Sequence, residues 1–186
     1  MNLPNSLTVT RIFLVPLLVV VLLTKFEGRM ILGVRKELVG AAIFGLASFT
    51  DWLDGYLARR RGQVTALGQF IDPFADKLLT IAAFISLVQM GLAPAWMVAV
   101  ILGREFLVTV LRSIAASRGV VIAASQMGKI KMAAEVTTIL ALILGNEYLP
   151  PLFILGIAAL WVSLITAVVS GVDYYRRFNH LLSQQR

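Results

Sequence analysis

Apolar residues come in runs along this chain, and the length of those runs is what most constrains its fold. Six stretches are separated by short polar or Gly/Pro-bearing connectors: Leu7–Thr24, Leu38–Ala58, Leu67–Met90, Ala95–Ala116, Met132–Leu144 (with a start as early as Ser125) and Leu152–Val172. Crossing the hydrocarbon of a bilayer takes about 20 apolar residues on a helix. An α-helix also satisfies its own backbone hydrogen bonds where no water is available. The pattern predicts an all-α, polytopic membrane protein with six transmembrane helices. Met1–Thr10, a mixed segment with Pro4, is expected to lie at the interface as a short amphipathic piece. With 59% hydrophobic residues in 186, there is no room for a separate soluble domain, so residues 1–186 read as a single membrane domain. The stretch Ile12–Leu23 is read as part of a retained first span: it contains Pro16, has no basic leader apart from Arg11 and is not followed by a small-residue cleavage site.

The net charge of +7 is distributed unevenly. Arg59, Arg60 and Arg61 follow the second run, Arg118, Lys129 and Lys131 follow the fourth, and Arg176, Arg177 and Arg186 follow the sixth. The Gly91–Pro94 turn carries no charge, and Asn146–Pro151 carries only Glu147. Basic loops stay cytoplasmic, which puts both termini and the Arg59 end of the second span on that side of the inner (cytoplasmic) membrane. The connector with Lys25, Arg29, Arg35 and Lys36 runs against this rule. Cations so placed meet anionic lipid headgroups, and no nucleic acid partner is expected. The chain has no Cys, which excludes thiolate metal sites and Cys nucleophiles.

Four of the five aspartates fall between positions 51 and 76, inside or at the ends of apolar runs. Ionised groups there are costly and usually functional. Asp51 and Asp54 are three apart and Asp72 and Asp76 four apart, so each pair shares a helix face. Gly55, Ala58 and Gly68 flank these stripes and let a ligand or helix approach closely. Four carboxylates in one apolar pocket need cations to neutralise them. Lys77 and Arg59 could serve two; two divalent cations would balance all four. All-oxygen donors favour Mg²⁺ or Mn²⁺, and a two-metal site is a known clamp for phosphoryl displacement. The spacing alone also fits a structural ion-pair network or the proton or cation path of a transporter.

The sequence Asp51, Asp54, Gly55, Ala58, Arg59, eight residues, then Gly68, Asp72 and Asp76 resembles the defining motif of the CDP-alcohol phosphotransferase family, with every position filled. The resemblance implies six transmembrane helices, a homodimer and two divalent metals near the cytoplasmic surface. Asp51, Asp54, Asp72 and Asp76 would hold the metals, Asp76 would also be the catalytic base, and Gly55, Ala58, Arg59, Thr65 and Gly68 would line the cytidine nucleotide site. Further matches are Asn2–Thr8 with Arg11 and Pro16, Gly103-Arg104-Glu105, Leu111-Arg112 and Gly128-Lys129-Ile130-Lys131. These resemble the branch whose acceptor is glycerol 3-phosphate. They imply transfer of a phosphatidyl group from CDP-diacylglycerol to that acceptor, giving phosphatidylglycerophosphate and CMP. Met132 and Glu135 depart from that branch pattern, where Thr and Gln stand.

The basic residues carry an independent argument. Arg104 and Arg112 are eight apart on one helical face, and with Arg118, Lys129 and Lys131 they could form a pocket for the acceptor's phosphate. The same Arg118, Lys129 and Lys131 also fit a role limited to topology and headgroup contact. An acceptor such as an inositol phosphate or serine would keep the chemistry and change the pocket.

Overall fold

The computed structural model describes residues 3–24, 30, 31, 33–61, 66–117, 126–146 and 149–183; the side chains at 3–11, 51–61, 66–76, 117, 126, 127, 129, 177 and 179–183 are outside that description. Six helices make up nearly all of it: α1 (Leu3–Leu23), α2 (Lys36–Arg61), α3 (Ala66–Gln89), α4 (Ala95–Ser117), α5 (Gln126–Gly145) and α6 (Pro150–Ser183). The all-α expectation therefore holds for the described residues, apart from one small hairpin.

That hairpin lies in the connector between α1 and α2. Strand β1 (Met30–Ile31) pairs antiparallel with β2 (Val34–Arg35), Met30 opposite Arg35 and Ile31 opposite Val34. A two-residue turn of this kind needs positive φ, and Gly33 supplies it at 79°. Lys36 then explains one basic residue that the loop-charge rule could not. Its ammonium donates to the carbonyls of Leu22 (3.0 Å) and Thr24 (3.3 Å) at the end of α1. A cation there satisfies orphan carbonyls and the negative end of the helix dipole.

Two boundaries differ from the sequence reading. Leu3–Thr10, expected as a separate interfacial piece, is continuous with α1. Nothing in the local sequence stops the last helix at Val172, and α6 runs on to Ser183. Its segment Pro150–Arg176 is, among the described residues, the one helix that is both long and apolar enough to cross a membrane. At 1.5 Å per residue it is about 40 Å long.

The other boundaries follow from local chemistry. Gly91, with φ of 74°, ends α3 in a Schellman arrangement: Leu92 N–H donates to Leu87 O at 2.9 Å, and both leucines are buried. Pro150 and Pro151 open α6, where a missing N–H costs nothing.

The packed centre is drawn from all six helices: Leu18 and Leu22 of α1, Phe44 and Ala47 of α2, Leu79 and Phe84 of α3, Met97 and Ile101 of α4, Ile139 and Leu142 of α5, and Leu160 and Leu164 of α6. The outside is apolar too. Phe13, Phe106, Ile154 and Ile165 are exposed, as are many large side chains along α4 and α6. Exposed apolar surface on this scale marks a partner, here a lipid phase. Helix association in such a phase rests on close packing rather than on the hydrophobic effect. Gly156 of α6 is an instance: a Cβ there would fall 2.7 Å from Leu142 Cδ2 of α5. Trp96 and Trp161 form an edge-to-face pair between α4 and α6, with centroids 6.2 Å apart.

Candidate active site at one end of the bundle

The acidic motif falls on two consecutive helices. Asp51, Asp54, Gly55, Ala58 and Arg59 lie in the last three turns of α2, and Gly68, Asp72 and Asp76 in the first three turns of α3. The two helices touch and are joined by only four residues. At 1.5 Å rise, Asp54 and Asp72 each lie about 10 Å along their helix from that connection, and Asp51 and Asp76 about 15 Å. Each helix thus carries one aspartate about 10 Å and one about 15 Å from the shared connection. A donor set of four carboxylates, all oxygen, fits hard dications such as Mg²⁺ or Mn²⁺. The side chains of these aspartates and of Arg59 lie outside the described ones, and Thr65 lies outside the described residues. α3 is one helix from Ala66 to Gln89, so Pro73 does not end it.

The basic half of the site is formed by α4, α5 and α6. Arg104 Nη2 donates to Ser170 Oγ at 2.6 Å, across the α4–α6 contact. Arg112, two turns further along α4, donates to the hydroxyl of Tyr174. The Tyr174 ring lies under both guanidiniums, with its centroid 5.8 Å from Arg104 Cζ and 5.0 Å from Arg112 Cζ. Gly171 eases this approach, since a Cβ there would sit a tight 3.2 Å from Arg104 Cγ. Arg104 and Arg112, grouped by their spacing, do converge.

Lys131 has a more specific setting than a free cation. Its ammonium donates to Glu105 of α4 and to Glu135, one turn along α5; its contacts to the two Glu135 oxygens are 2.9 and 3.1 Å. Glu135 Oε1 accepts no well-aligned hydrogen bond but is the 2.9 Å ion-pair partner of Lys131. Lys131 and Glu135 are both buried, and Arg104 Nη1 stands 3.8 Å from Glu105. The charge of Lys131 is therefore shared between two carboxylates before any ligand arrives. The Lys129 side chain lies outside the described ones, and Arg118 outside the described residues.

Among the described residues, a hydrogen bond links the helix of Asp72 and Asp76 to the basic half. Lys77, next to Asp76 on α3, donates to Thr109 Oγ1 on α4, and Thr109 lies between Glu105 and Arg112 along that helix. Sequence reading did not assign Thr109, Ser170 or Tyr174 to the site. The only local hint was a Ser and a Tyr spaced i, i+4 at the polar end of the last apolar run.

Carboxylates on two consecutive helices and guanidiniums on a third, in an apolar helical bundle, are the groups that a phosphate-transfer site at a membrane would use. Comparison with known sequences narrows this. A sequence model described as CDP-alcohol phosphatidyltransferase matches residues 1–169. The chain is 47% identical over 182 residues to the CDP-diacylglycerol–glycerol-3-phosphate 3-phosphatidyltransferase of Bacillus subtilis, covering 95% of this chain and 94% of that protein. It is 36% identical over 177 residues to the protein of the same name from Rickettsia typhi, covering 94% and 96%. It is 40% identical over 179 residues to a probable phosphatidylglycerophosphate synthase of Mycobacterium tuberculosis, covering 95% and 81%. The chain belongs to the CDP-alcohol phosphatidyltransferase family, and with it to a class of membrane-associated transferases of phospholipid biosynthesis.

Proposed function

We propose that this chain transfers the phosphatidyl group of CDP-diacylglycerol to glycerol 3-phosphate, giving phosphatidylglycerophosphate and CMP. The observation that carries the acceptor assignment is the convergence of Arg104 and Arg112 on Tyr174, linked through Thr109 and Lys77 to the helix of Asp72 and Asp76. The names of the three relatives support the same reading.

Asp51, Asp54, Asp72 and Asp76 would hold two Mg²⁺ or Mn²⁺ ions, which when bound supply charge neutralisation for the phosphates and the departing CMP. Asp76 accepts the proton of the acceptor's primary hydroxyl. That oxygen bonds to the lipid-side phosphorus of the donor, and the bond from that phosphorus to the oxygen bridging to CMP breaks. Arg104 and Arg112 bind the acceptor's own phosphate and orient the hydroxyl. Arg118 and Lys129 add positive charge around that site, and Lys131 contributes only what its pairing with Glu105 and Glu135 leaves. Gly55, Ala58, Arg59, Thr65 and Gly68 line the cytidine nucleotide site, where the small bulk of Gly55, Ala58 and Gly68 leaves room for the ligand.

In this reading all six helices cross the inner membrane, the active site faces the cytoplasm and the acyl chains stay in the lipid. The working form is a homodimer. The test is CMP release by the purified protein with CDP-diacylglycerol, a divalent cation and a panel of acceptors: glycerol 3-phosphate, an inositol phosphate and serine. Turnover confined to glycerol 3-phosphate is expected; none with that acceptor ends the proposal.

A further inference from the structure

Two guanidiniums brought to one tyrosine ring repel each other, and α4 alone does not hold them there. Eight residues apart, Arg104 and Arg112 are separated by about 12 Å along the helix axis, and long side chains at that distance have many rotamers to choose from. The restraint comes from α6. Ser170, fully buried, donates its hydroxyl proton to Thr166 O, which leaves its oxygen lone pairs to accept from Arg104. Tyr174, 3% exposed, offers its ring to both cations and its hydroxyl oxygen to Arg112. Ser170 and Tyr174 are themselves four apart, one turn of one helix face. Arg112 is otherwise exposed, and Arg104 keeps a buried Nε–H with no hydrogen-bond partner among the described residues. Donors thus remain on both cations.

We propose that Ser170 and Tyr174 are positioning residues for the acceptor, fixing Arg104 and Arg112 as a preset pair that receives its phosphate. The inference rests on the assignment of those two arginines to the acceptor phosphate. Preorganisation of this kind lowers the ordering cost of binding, so its loss falls on acceptor affinity and not on the donor. A role limited to packing α6 against α4 would instead lower the amount of folded protein or move both substrates' parameters together.

The test uses the full-length protein, with CMP release followed against each substrate separately. Tyr174→Leu, which removes ring and hydroxyl, is expected to raise KM for glycerol 3-phosphate by about tenfold or more. KM for CDP-diacylglycerol should stay within about twofold. Tyr174→Phe keeps the ring and should recover most of the loss, leaving about a threefold rise. Inorganic phosphate, competing with glycerol 3-phosphate, should inhibit Tyr174→Leu correspondingly more weakly. Should Tyr174→Leu fail to fold, the double variant Tyr174→Phe/Ser170→Ala decides, with about a tenfold rise expected. Unchanged acceptor KM in the folded variants, or equal changes for both substrates, overturns the proposal. Arg112→Gln separates the two levels. If it leaves acceptor KM unchanged, the assignment of the arginines fails and this inference with it. If it raises acceptor KM while the Ser170 and Tyr174 variants do not, only the positioning role fails.

Discussion

Lys131 of α5 donates its ammonium to Glu105 of α4, reaching between two helices that both pack on α6. Glu135 completes the group from one turn along α5, so a single cation serves two carboxylates, with Arg104 at 3.8 Å from Glu105 as the next positive charge. Lys131 is thus a structural cation first, and any contribution to acceptor binding comes from a charge already divided.

Removing that cation is expected to be costly. Lys131→Met leaves Glu105 and Glu135 in an apolar setting without their shared partner, and breaking a buried pair from one side costs about 3 kcal/mol or more. Thermal unfolding in detergent should drop by about 5–10 °C. Glu135→Gln, which keeps a hydrogen-bonding acceptor for Lys131, should lose much less. A Lys131→Met protein as stable as wild type would show that the trio is not a closed charge group.

The link from Lys77 to Thr109 joins the helix of the proposed base to the helix of the acceptor arginines. Thr109→Val is nearly isosteric and deletes the hydroxyl. The expected cost is about 1 kcal/mol of stability, with a larger relative fall in kcat, because a small misplacement of the hydroxyl relative to Asp76 slows transfer. A variant that loses stability but keeps kcat would confine Lys77–Thr109 to packing.

Divalent cations should be required outright. Chelation is expected to abolish CMP release, and Mg²⁺ or Mn²⁺ to restore it. Asp51→Asn should raise the metal concentration needed for half-maximal activity, since a neutral amide is a poorer ligand for a hard dication. Asp76→Asn, which also loses the base, should fall by at least about 10³-fold at saturating metal. Full activity in the presence of chelator would remove the metals from the mechanism.

The helices were legible because each apolar run has the length of a helix and ends at a Gly, a Pro or a cluster of charge. The acidic motif was legible because its spacing is local, i to i+3 and i to i+4. The hairpin at Met30–Arg35 was not, since two residues per strand leave no alternation to detect, although Gly33 between two apolar residues is a turn signal. Nor could sequence reveal what holds the basic residues. Arg104 meets Ser170 across 66 positions and Arg112 meets Tyr174 across 62, and no local pattern encodes such partners. Lys131 meets Glu105 across 26 positions for the same reason, whereas its pairing with Glu135, one turn away, is a local i, i+4 pattern that the sequence does carry.

The contact between α5 and α6 is the most extensive in the bundle, and it depends on a missing side chain. A Cβ on Gly156 would come within 2.7 Å of Leu142 Cδ2 and 3.0 Å of the Leu142 backbone nitrogen. The leucine tip could rotate away, but the backbone could not, so α6 itself would have to shift. Gly156→Ala should therefore destabilise by about 1–3 kcal/mol, despite alanine's better helix propensity, and Gly156→Leu should prevent stable assembly. Because α6 carries Ser170 and Tyr174 on the same rigid helix, the alanine variant should also raise KM for glycerol 3-phosphate more than KM for CDP-diacylglycerol. The check is thermal unfolding together with the two KM values. An alanine variant more stable than wild type, as propensity alone would predict, would mean that the two helices are not held at this separation.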